Sequence, residues 1–440
     1  MPAFSSLLRS FSSLLPLLPL AFAVGCGEAD QADQGPPVRA EDPNAPILIG
    51  EYGSLTGSEA TFGQSTDRGV QLAIEEINKS GGVKGRKLAV RTYDDQGKTQ
   101  EAGTAVTRLI TDDHVVAVLG EVASSLSMAG GRVAQQYGVP MISPSSTNAQ
   151  VTRVGDMVFR VCFVDSFQGY VVAKFALDDL KATKVAVLYD QGQAYSKGLK
   201  DDFERELKEM GGDVVIEQAY TGGDQDFSAQ LTAIRDTHPD AIFIPGYYTD
   251  VGNISIQTRK LGLEVPLLGG DGWDSSQLAQ LAGDAIEGSY YSNHYSHEDM
   301  RPEVQDFVKA YQARYSEVPD GIAALGYDAT RLLAQAMDRA PSLDGKDLAA
   351  AIAATKGFDG VTGNISIDAE RNAQKSAVIV QMKGGQPRYV TTIHPKGMEP
   401  APQAAAPTDA VPGAAPADGA APADGATPAQ GAAAEGAAAK

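Results

Sequence analysis

The sequence predicts an α/β protein with two lobes, each built around a parallel sheet. Short β-rich runs alternate with longer helical patterns from residue 47 onward, and this strand–helix–strand rhythm is typical of parallel sheets. The rhythm starts again after Phe159, which favours two lobes over one long sheet. The chain has 440 residues, of which 43% are hydrophobic, so it can bury the cores of two domains.

Each series consists of strand-like runs separated by helical patterns. The first has runs at residues 47–53, 87–95, 115–121 and 139–143, with helical patterns at residues 65–82, 99–113 and 126–138. The second has runs at residues 184–190, 214–220, 241–248 and 266–273, with helical patterns at residues 195–212, 226–236 and 253–262. We therefore expect each helix to connect two neighbouring parallel strands.

The N-terminal residues 1–25 are predicted to be a lipoprotein signal peptide. A single Arg9 and an apolar run precede small residues, which is the pattern of an export signal. The segment Ala23-Val24-Gly25-Cys26 resembles the bacterial lipobox, in which the cysteine becomes lipid-modified; an ordinary secreted protein cut nearby is the alternative. No later segment approaches the run of about 18 apolar residues that spans a bilayer. The predicted membrane contact is therefore a lipid anchor at Cys26 only.

Two further segments are predicted to lie outside the folded body. Residues 26–46 are polar, acidic and proline-bearing, which is typical of a flexible stalk. Residues 399–440 consist mainly of Ala, Pro, Gly and Asp, with APADGA repeated, and are predicted to be a disordered tail. An alanine-rich helix is the alternative for the tail, but its recurrent Pro and Gly disfavour it.

Charge and motifs exclude several classes of function. The formal net charge of −20 argues against nucleic acid and anionic membrane surfaces as partners, because like charges repel. The sequence contains no GxSxG, SxxK, HExxH, GxxxxGK[ST] or CxxC motif. We therefore expect a protein that is not an enzyme and has no cofactor.

Structural roles are favoured for three residues whose side chains could in principle react or bind a metal. His294 and His297 could in principle bind a metal, but no set of carboxylates or thiols accompanies them, so a packed or solvated pair is favoured. Cys162 lies in an apolar stretch with no histidine close in sequence, which favours a small buried hydrophobe.

Polar side chains follow five of the predicted strands, at the point where each strand ends. In open parallel sheets, ligands bind in the crevice outside the carboxyl ends of the strands. The side chains expected at this rim are Ser124, Ser125, Ser145, Ser146, Thr147, Tyr195, Tyr247, Tyr248, Asp271 and Trp273. Loops from both lobes thus bring hydroxyls, aromatic rings and the Asp271 carboxylate toward one site.

This set of side chains matches the two charged groups of an α-amino acid. Hydroxyls and the N-terminus of a helix suit a carboxylate, and Ser124 and Thr147 are the candidates. A carboxylate suits an ammonium group through a charge-assisted hydrogen bond, and Asp271 is the candidate. Helix capping is an equally good interpretation for any one serine or threonine alone. The combination favours a zwitterion site.

Many ordered motifs resemble one known family. They include GSLTGSEATFG at residues 53–63, AVLGEVASS at 117–125, GVPMISPSSTN at 138–148, VFRVCFVDSFQG at 158–169 and GGDGWDS at 269–275. Their order is similar to that of the leucine/isoleucine/valine-binding branch of type I periplasmic binding proteins, over nearly all of residues 47–395. The resemblance implies a type I periplasmic-binding-protein fold, with two doubly wound lobes, a multi-strand hinge and a ligand cleft.

The resemblance also implies roles for individual residues. Ser124 and Thr147 would hold the ligand carboxylate, and Ser145 would offer its backbone carbonyl to the amine. The remaining family positions are Phe62 over the side-chain pocket, Ser146 in the wall, and Tyr195, Tyr247 and Asp271 from the C-terminal lobe.

The sequence departs from the family pattern at several positions. Asp271 replaces the longer glutamate of the branched-chain binders, and Ile322 stands where an aromatic residue is often found. Gly97 and Ala123 stand where enteric members have a disulfide. The shorter acid and the altered wall put leucine itself in doubt as the ligand.

The resulting prediction is an extracytoplasmic substrate-binding lipoprotein of an ABC transporter. It would capture a branched-chain or related small amino acid by cleft closure and deliver it to a permease with its ATPase. We expect a monomer, lipid-anchored to the cell membrane or outer membrane. The predicted lobes are residues 47–165 plus 296–372 and residues 166–295 plus 373–396. A receptor of the same fold that signals to a partner is the alternative.

Overall fold

The computed structural model describes residues 45–397 of the chain. The predicted signal peptide (residues 1–25), Cys26, nearly all of the predicted stalk and the predicted tail (residues 399–440) lie outside the described residues.

The first sheet contains five parallel strands, in the order β2-β1-β3-β4-β5. They are β1 (Ile47–Gly53), β2 (Leu88–Asp94), β3 (Val118–Leu119), β4 (Met141–Ser143) and β5 (Val158–Arg160). The connecting helices are α1 (Ala60–Lys79), α2 (Thr99–Thr111) and α3 (Ser124–Tyr137). The carboxyl ends of these parallel strands all meet at one edge, so the loops after β3 and β4 are neighbours.

The second sheet contains seven strands, in the order β15-β14-β10-β9-β8-β6-β7. Its parallel part is β6 (Lys184–Asp190), β7 (Asp213–Tyr220), β8 (Ala241–Phe243), β9 (Leu267–Gly269) and β10 (Tyr290–Asn293). The helices here are α4 (Asp165–Asp178), α5 (Ala194–Glu209), α6 (Ser228–Asp236), α7 (Tyr248–Lys260) and α8 (Ser276–Ala282). Short 3₁₀ turns occupy Thr152–Val154, Asp271–Trp273 and Gly283–Ile286.

The chain then forms three more helices and returns to the second sheet. The helices are α9 (Pro302–Tyr315), α10 (Gly321–Arg339) and α11 (Gly345–Ala353). Strands β11 (Phe358–Gly360), β12 (Gly363–Ile367) and β13 (Ala373–Gln374) make a small antiparallel sheet. Strands β14 (Ala377–Lys383) and β15 (Gln386–Ile393) are the antiparallel edge of the second sheet.

The first sheet and the parallel part of the second confirm the α/β architecture predicted from the strand–helix rhythm. Some strands are shorter than the runs that predicted them. The predicted run at residues 115–121, for example, contains only the two strand residues of β3. Helix α1 also begins at Ala60, five residues before the predicted pattern. The lobe boundaries near residues 165, 295 and 372 stay predictions. No helix among the described residues is long and apolar enough to cross a membrane.

Helices α1 and α10 pack at close range, and two glycines make this possible. A Cβ atom on Gly69 would lie 2.1 Å from the carbonyl oxygen of Ala323, and one on Gly326 would lie 2.7 Å from that of Thr66. Both neighbours are backbone atoms, which cannot rotate away as a side chain can. The approach of α10 to α1 matters for the site, because each helix places an apolar side chain there.

We expect Gly69→Ala to destabilise the protein by about 1–3 kcal/mol, the usual cost of overpacking. Gly103→Ala in α2 is the matched control, because its nearest contact would be 4.0 Å from the Val133 side chain. Alanine at Gly103 should be neutral or stabilising by up to about 1 kcal/mol, since it favours the helix. Urea denaturation of both variants measures the difference; equal stabilities would contradict the packing argument.

Candidate functional site

The loops predicted to form the rim surround a small cavity of about 10 Å³. It is lined by Phe62, Val122, Ser145, Tyr195, Tyr247, Asp271, Gly272 and Ile322. Phe62 comes from α1 and Ile322 from α10, whereas Tyr195, Tyr247 and Asp271 come from the second sheet's loops and helix starts. A space of this size admits about one water molecule, so a larger group fits only when the walls part.

The structure brings most of the predicted ligand residues to this cavity. Phe62, Ser145, Tyr195, Tyr247 and Asp271 line it, and Ser124, Ser146 and Thr147 are buried in the loops that supply Val122 and Ser145. Ile322 lines the cavity where the resemblance leads one to expect an aromatic ring. The site is therefore assembled from both sheets, as the strand ends predict.

Three buried hydroxyls at the site have no hydrogen-bond partner among the described residues. They belong to Ser145, Thr147 and Tyr247. A buried polar group without a partner costs about 1–3 kcal/mol, and native proteins rarely tolerate several together. Hydroxyls in this condition suit a polar ligand that supplies the missing hydrogen bonds.

Other hydroxyls of the same loops bind the protein itself. The Ser146 hydroxyl lies 2.8 Å from the carbonyl oxygen of Val122 and 2.7 Å from the Ser127 hydroxyl, and Ser143 donates to the carbonyl of Glu121 at 2.7 Å. Ser124 begins α3, and its hydroxyl accepts from the Asn148 N–H at 3.3 Å. These bonds fasten the loop after β4 to the loop after β3.

Arg160, at the end of β5, fixes the backbone of the loop after β4. Its guanidinium is fully buried and donates to the carbonyl oxygens of Ser146 (2.6 Å) and Asn148 (2.8 Å). Cys162 also donates to the Ser146 carbonyl at 3.3 Å, and burial raises the pKa of its thiol to about 12. Cys162 is thus a buried, protonated side chain, as its apolar surroundings in the sequence predict.

The Asp271 carboxylate is buried and held by three side chains. Gln168 and Tyr195 donate to Oδ1 at 2.8 and 2.9 Å, and His294 Nε2 lies 3.0 Å from Oδ2. Each carboxylate oxygen can accept two hydrogen bonds, so Oδ1 is saturated and Oδ2 can accept one more. The carboxylate is therefore fixed in orientation while one acceptor position is left.

His294 is a site residue, although its sequence context favours a packed or solvated pair with His297. Burial lowers the pKa of its imidazole to about 4, so the ring is neutral at pH 7 and donates from Nε2 to Asp271. Its ring stacks on Phe163, with ring centroids 3.7 Å apart. His294 directly follows strand β10, and this place at a strand end is the sequence signal that marks it.

Two residues of α4 also reach the site, and no strand-end signal marks them. Gln168 lies in the first turns of the helix and binds both Asp271 and Ser292. Asp165 begins the helix, and its N–H donates to the Thr147 carbonyl at 2.9 Å. Burial raises the pKa of the Asp165 carboxyl well above its usual range, which favours the uncharged acid next to the Thr147 hydroxyl.

Several contacts join the first-sheet side of the cavity to the second-sheet side. Asn148 donates to the Ala194 carbonyl at 2.8 Å, and the Tyr248 hydroxyl donates to the Ser58 carbonyl at 2.9 Å. The Phe62 ring packs edge-on against Tyr247 and Tyr248, with centroids 5.6 and 5.1 Å away. The cleft is therefore narrow and closed over by direct contacts.

No group of three or more His, Cys, Asp or Glu side chains in residues 45–397 is arranged to hold a metal ion. The polar groups around the cavity are hydroxyls, one carboxylate and its donors. Such a set binds by hydrogen bonding and charge.

Several known proteins are similar to this chain in sequence and architecture. Residues 46–386 match the periplasmic binding protein family. The leucine-, isoleucine-, valine-, threonine-, and alanine-binding protein of Pseudomonas aeruginosa is 31% identical, over 73% of this chain and 86% of its own length. A Leu/Ile/Val-binding protein homologue of Brucella melitensis is 32% identical, over 68% of this chain and 81% of its own.

Solved structures are similar over most of the described residues. The leucine-binding protein LivK of Thermotoga maritima gives a TM-score of 0.76 at 37% identity, covering 80% of this chain and 99% of that one. The LivJ protein of Streptococcus pneumoniae, solved in complex with isoleucine, gives a TM-score of 0.76 at 35% identity. The match covers 80% of this chain and 100% of that one. The type I periplasmic-binding-protein fold is confirmed, and the chain belongs to the periplasmic binding protein family, in its leucine/isoleucine/valine-binding branch.

Proposed function

We propose that the protein captures an α-amino acid in the cavity around Asp271 and delivers it to a membrane permease of an ABC transporter. The observation that supports this most directly is the pairing of a fixed, buried carboxylate with three buried hydroxyls that lack partners. The two kinds of group suit the two charged ends of one zwitterion.

The ammonium end of the ligand would bind Asp271. Oδ2 has one acceptor position left, and a charge-assisted hydrogen bond in a buried site is stronger than a neutral one. The backbone carbonyl of Ser145 would accept a second ammonium proton. The ligand carboxylate would accept from the hydroxyls of Ser124 and Thr147, where the start of α3 also favours a negative charge.

The ligand side chain would lie against Phe62 and Ile322. The named substrates of the Pseudomonas relative are leucine, isoleucine, valine, threonine and alanine, all small zwitterions without a second charge. We propose a branched-chain or related small amino acid for this protein. Ser146 would support the wall through its bonds to the loop after β3, and Tyr195 and Tyr247 would close the site from the other side.

Capture would involve closure of two lobes, formed by residues 47–165 with 296–372 and residues 166–295 with 373–396. A ligand that touches both lobes favours the closed form by its difference in affinity for the two forms. The hydrogen bonds of Asn148 and Tyr248 across the cleft would form at the same step.

The family acts outside the cytoplasm, and we propose that this member is anchored there by lipid at Cys26. It would work as a monomer without chemistry of its own and pass its ligand to permease and ATPase subunits. Its relatives in Brucella melitensis and Pseudomonas aeruginosa are named as binding proteins, which supports a role in binding.

Asp271→Ala should weaken ligand binding by roughly 30-fold or more. Removing one partner of a buried charge pair costs about 2–5 kcal/mol, and ~1.4 kcal/mol corresponds to tenfold in affinity. A thermal-shift screen of amino acids identifies the ligand, because bound ligand stabilises the protein, and calorimetric titration then measures affinity. The affinity of Asp271→Asn should fall between those of the wild type and Asp271→Ala.

The control is Asp236→Ala at the exposed end of α6, where the aspartate side chain is 68% exposed. It should bind like the wild type. Folded Asp271→Ala with wild-type affinity, checked against its melting temperature, would contradict both the role of Asp271 and the zwitterion site.

The neutral state of His294 predicts a specific pH dependence of stability. Its pKa is about 4 when folded and 6.5 in an ordinary setting, so the unfolded chain binds more protons between these values and stability falls as pH decreases from 6.5 to 4. The gap of about 2.5 corresponds to ~3 kcal/mol at about 1.36 kcal/mol per unit.

His294→Gln keeps a donor for Asp271 but has no titrating ring. Urea denaturation at a series of pH values should show that the wild type loses ~3 kcal/mol more than this variant over the same range. Parallel curves for the two proteins would show that His294 does not titrate as proposed.

Cys26→Ala should abolish lipid modification. Metabolic labelling with palmitate, in cells that express the full chain, should label the wild type and leave the variant unlabelled. Equal labelling of both proteins would exclude Cys26 as the anchor.

A further inference from the structure

The first N–H group of helix α10 binds a carboxylate from the other side of the cleft. The Gly321 N–H donates to Oδ2 of Asp274 at 2.6 Å. Asp274 directly follows the 3₁₀ turn Asp271–Trp273 on the second-sheet side, whereas α10 packs on α1 on the first-sheet side. This hydrogen bond therefore joins the two sides of the cleft.

Both partners in this hydrogen bond are next to residues that line the amino-acid cavity. The Asp274 N–H donates to the carbonyl oxygen of Asp271 at 3.0 Å, and Gly321 directly precedes Ile322. Asp271 and Ile322 both line the cavity. The bond between Asp274 and Gly321 thus fixes the distance between the carboxylate wall and the apolar wall.

The Asp274 carboxylate is held at both oxygens and approaches the helix as closely as a glycine allows. Tyr291 donates its hydroxyl proton to Oδ1 at 3.0 Å, and the Asp274 residue is only 4% exposed. A Cβ atom on Gly321 would lie 2.7 Å from Oδ2 of Asp274 and 2.5 Å from Oδ1 of Asn293. Any larger residue at position 321 would therefore push the two sides of the cleft apart.

A second carboxylate, that of Asp320, lies at the same end of α10. Asp320 is the N-cap residue, and its Oδ1 accepts from the Ala323 N–H at 2.8 Å. Its Oδ2 accepts from the Ser65 hydroxyl of α1 at 2.6 Å. A helix N-terminus favours one negative charge, but two adjacent carboxylates repel each other. The first-sheet side contributes Asp320 and the second-sheet side contributes Asp274, so closing the cleft brings like charges together.

The other titratable groups here do not cancel this repulsion. Arg68 of α1 is already paired with Glu317, at 2.6 Å. Burial lowers the pKa of His297, which favours its neutral form at pH 7. The remaining titratable groups that act on the two carboxylates are Asp271, Tyr291 from β10, Tyr295 from the loop after β10 and Tyr311 from α9.

The two carboxyl groups can exchange protons with the solvent. Both line a cavity of about 270 Å³ between the two sides of the cleft. Burial, followed by the charge of Asp274, raises the pKa of Asp320 to about 7, and burial also raises the pKa of Asp274. Both effects weaken when the second-sheet side moves away from α10, because Asp320 then regains water and loses its charged neighbour.

We propose that Asp274 is a positioning residue for amino-acid capture, which holds α10 across the closed cleft, and that closure takes up a proton from solvent at the pair of Asp274 and Asp320. The proton forms an O–H bond on one carboxyl group, which becomes uncharged, and no other covalent bond changes. The inference rests on the proposed function in one respect, since capture must close two lobes that carry Asp274 and α10 separately.

Proton uptake on closure predicts that ligand affinity rises as the pH falls. The pKa of Asp320 is about 7 in the closed form and 3.8 in an ordinary setting, so between these values the closed form binds more protons than the open form. By linkage, affinity for the amino acid should increase about tenfold from pH 8 to pH 6. At pH 7, binding should take up roughly half a proton for each ligand molecule.

Calorimetric titration of the full chain with L-isoleucine and L-alanine measures both quantities. Affinities are compared at pH 8 and pH 6, and proton uptake is obtained from the binding enthalpies in buffers of different ionisation enthalpy. Asp320→Asn keeps a cap for α10 but removes the charge. It should bind at least tenfold more tightly than the wild type at pH 8, with the same affinity at pH 6 and no proton uptake.

A merely structural role of Asp320 would instead weaken binding at both pH values. Asp236→Asn, at the exposed end of α6, is the control and should keep the pH dependence of the wild type. Melting temperatures establish that each variant is folded. The same pH dependence in the wild type and Asp320→Asn would overturn the proposed proton uptake.

Two substitutions of Asp274 test the positioning role. Asp274→Asn keeps an acceptor for the Gly321 N–H, whereas Asp274→Ala removes it. Both variants lack the charge, so neither should show the pH dependence. Asp274→Ala should bind about three- to tenfold more weakly than Asp274→Asn at both pH values, the usual effect of losing one hydrogen bond. Equal affinities of these two variants would overturn the positioning role.

A failure of the proposed function gives a different result. If neither amino acid binds, the fluorescence of Trp273 still reports on the carboxylate pair without ligand. Trp273 is the only tryptophan of the chain, and its ring centroid lies 6.1 Å from that of Tyr291, which binds Asp274. Its emission should change between pH 8 and pH 6 in the wild type and stay constant in Asp320→Asn. The same change in both proteins, or none in either, would overturn the proposal independently of amino-acid capture.

Discussion

The rest of the site depends on the burial of the Asp271 carboxylate. A buried charge is costly unless it is paired and hydrogen-bonded, and here Gln168, Tyr195 and His294 supply the hydrogen bonds. None of these three donors is a counter-ion for Asp271. Gln168 and Tyr195 are uncharged side chains, and the imidazole of His294 is neutral at pH 7. The Asp271 carboxylate is therefore fixed in position with no positively charged partner among the described residues, which suits a ligand ammonium group.

The wall of the cavity formed by the loop after β4 contains hydroxyl groups in place of a carboxylate. Its serines divide into those that hold the backbone and those that remain without partners. Ser143 and Ser146 bind the loop after β3, and Arg160 fixes the carbonyl of Ser146, so the loop cannot rearrange to satisfy Ser145 and Thr147. Rigid support thus leaves hydroxyls available, which is how a binding site avoids collapsing onto its own polar groups.

The sequence by itself determined the α/β architecture and the strand ends around which the site is built. Strand–helix alternation and strand ends depend on local patterns, so the two sheets and the positions of Ser145, Tyr195, Tyr247 and Asp271 could be predicted. Only the tertiary structure decided which of these groups are satisfied. Gln168 and His294 lie 103 and 23 residues from Asp271 in the chain, and no local pattern specifies that they meet it.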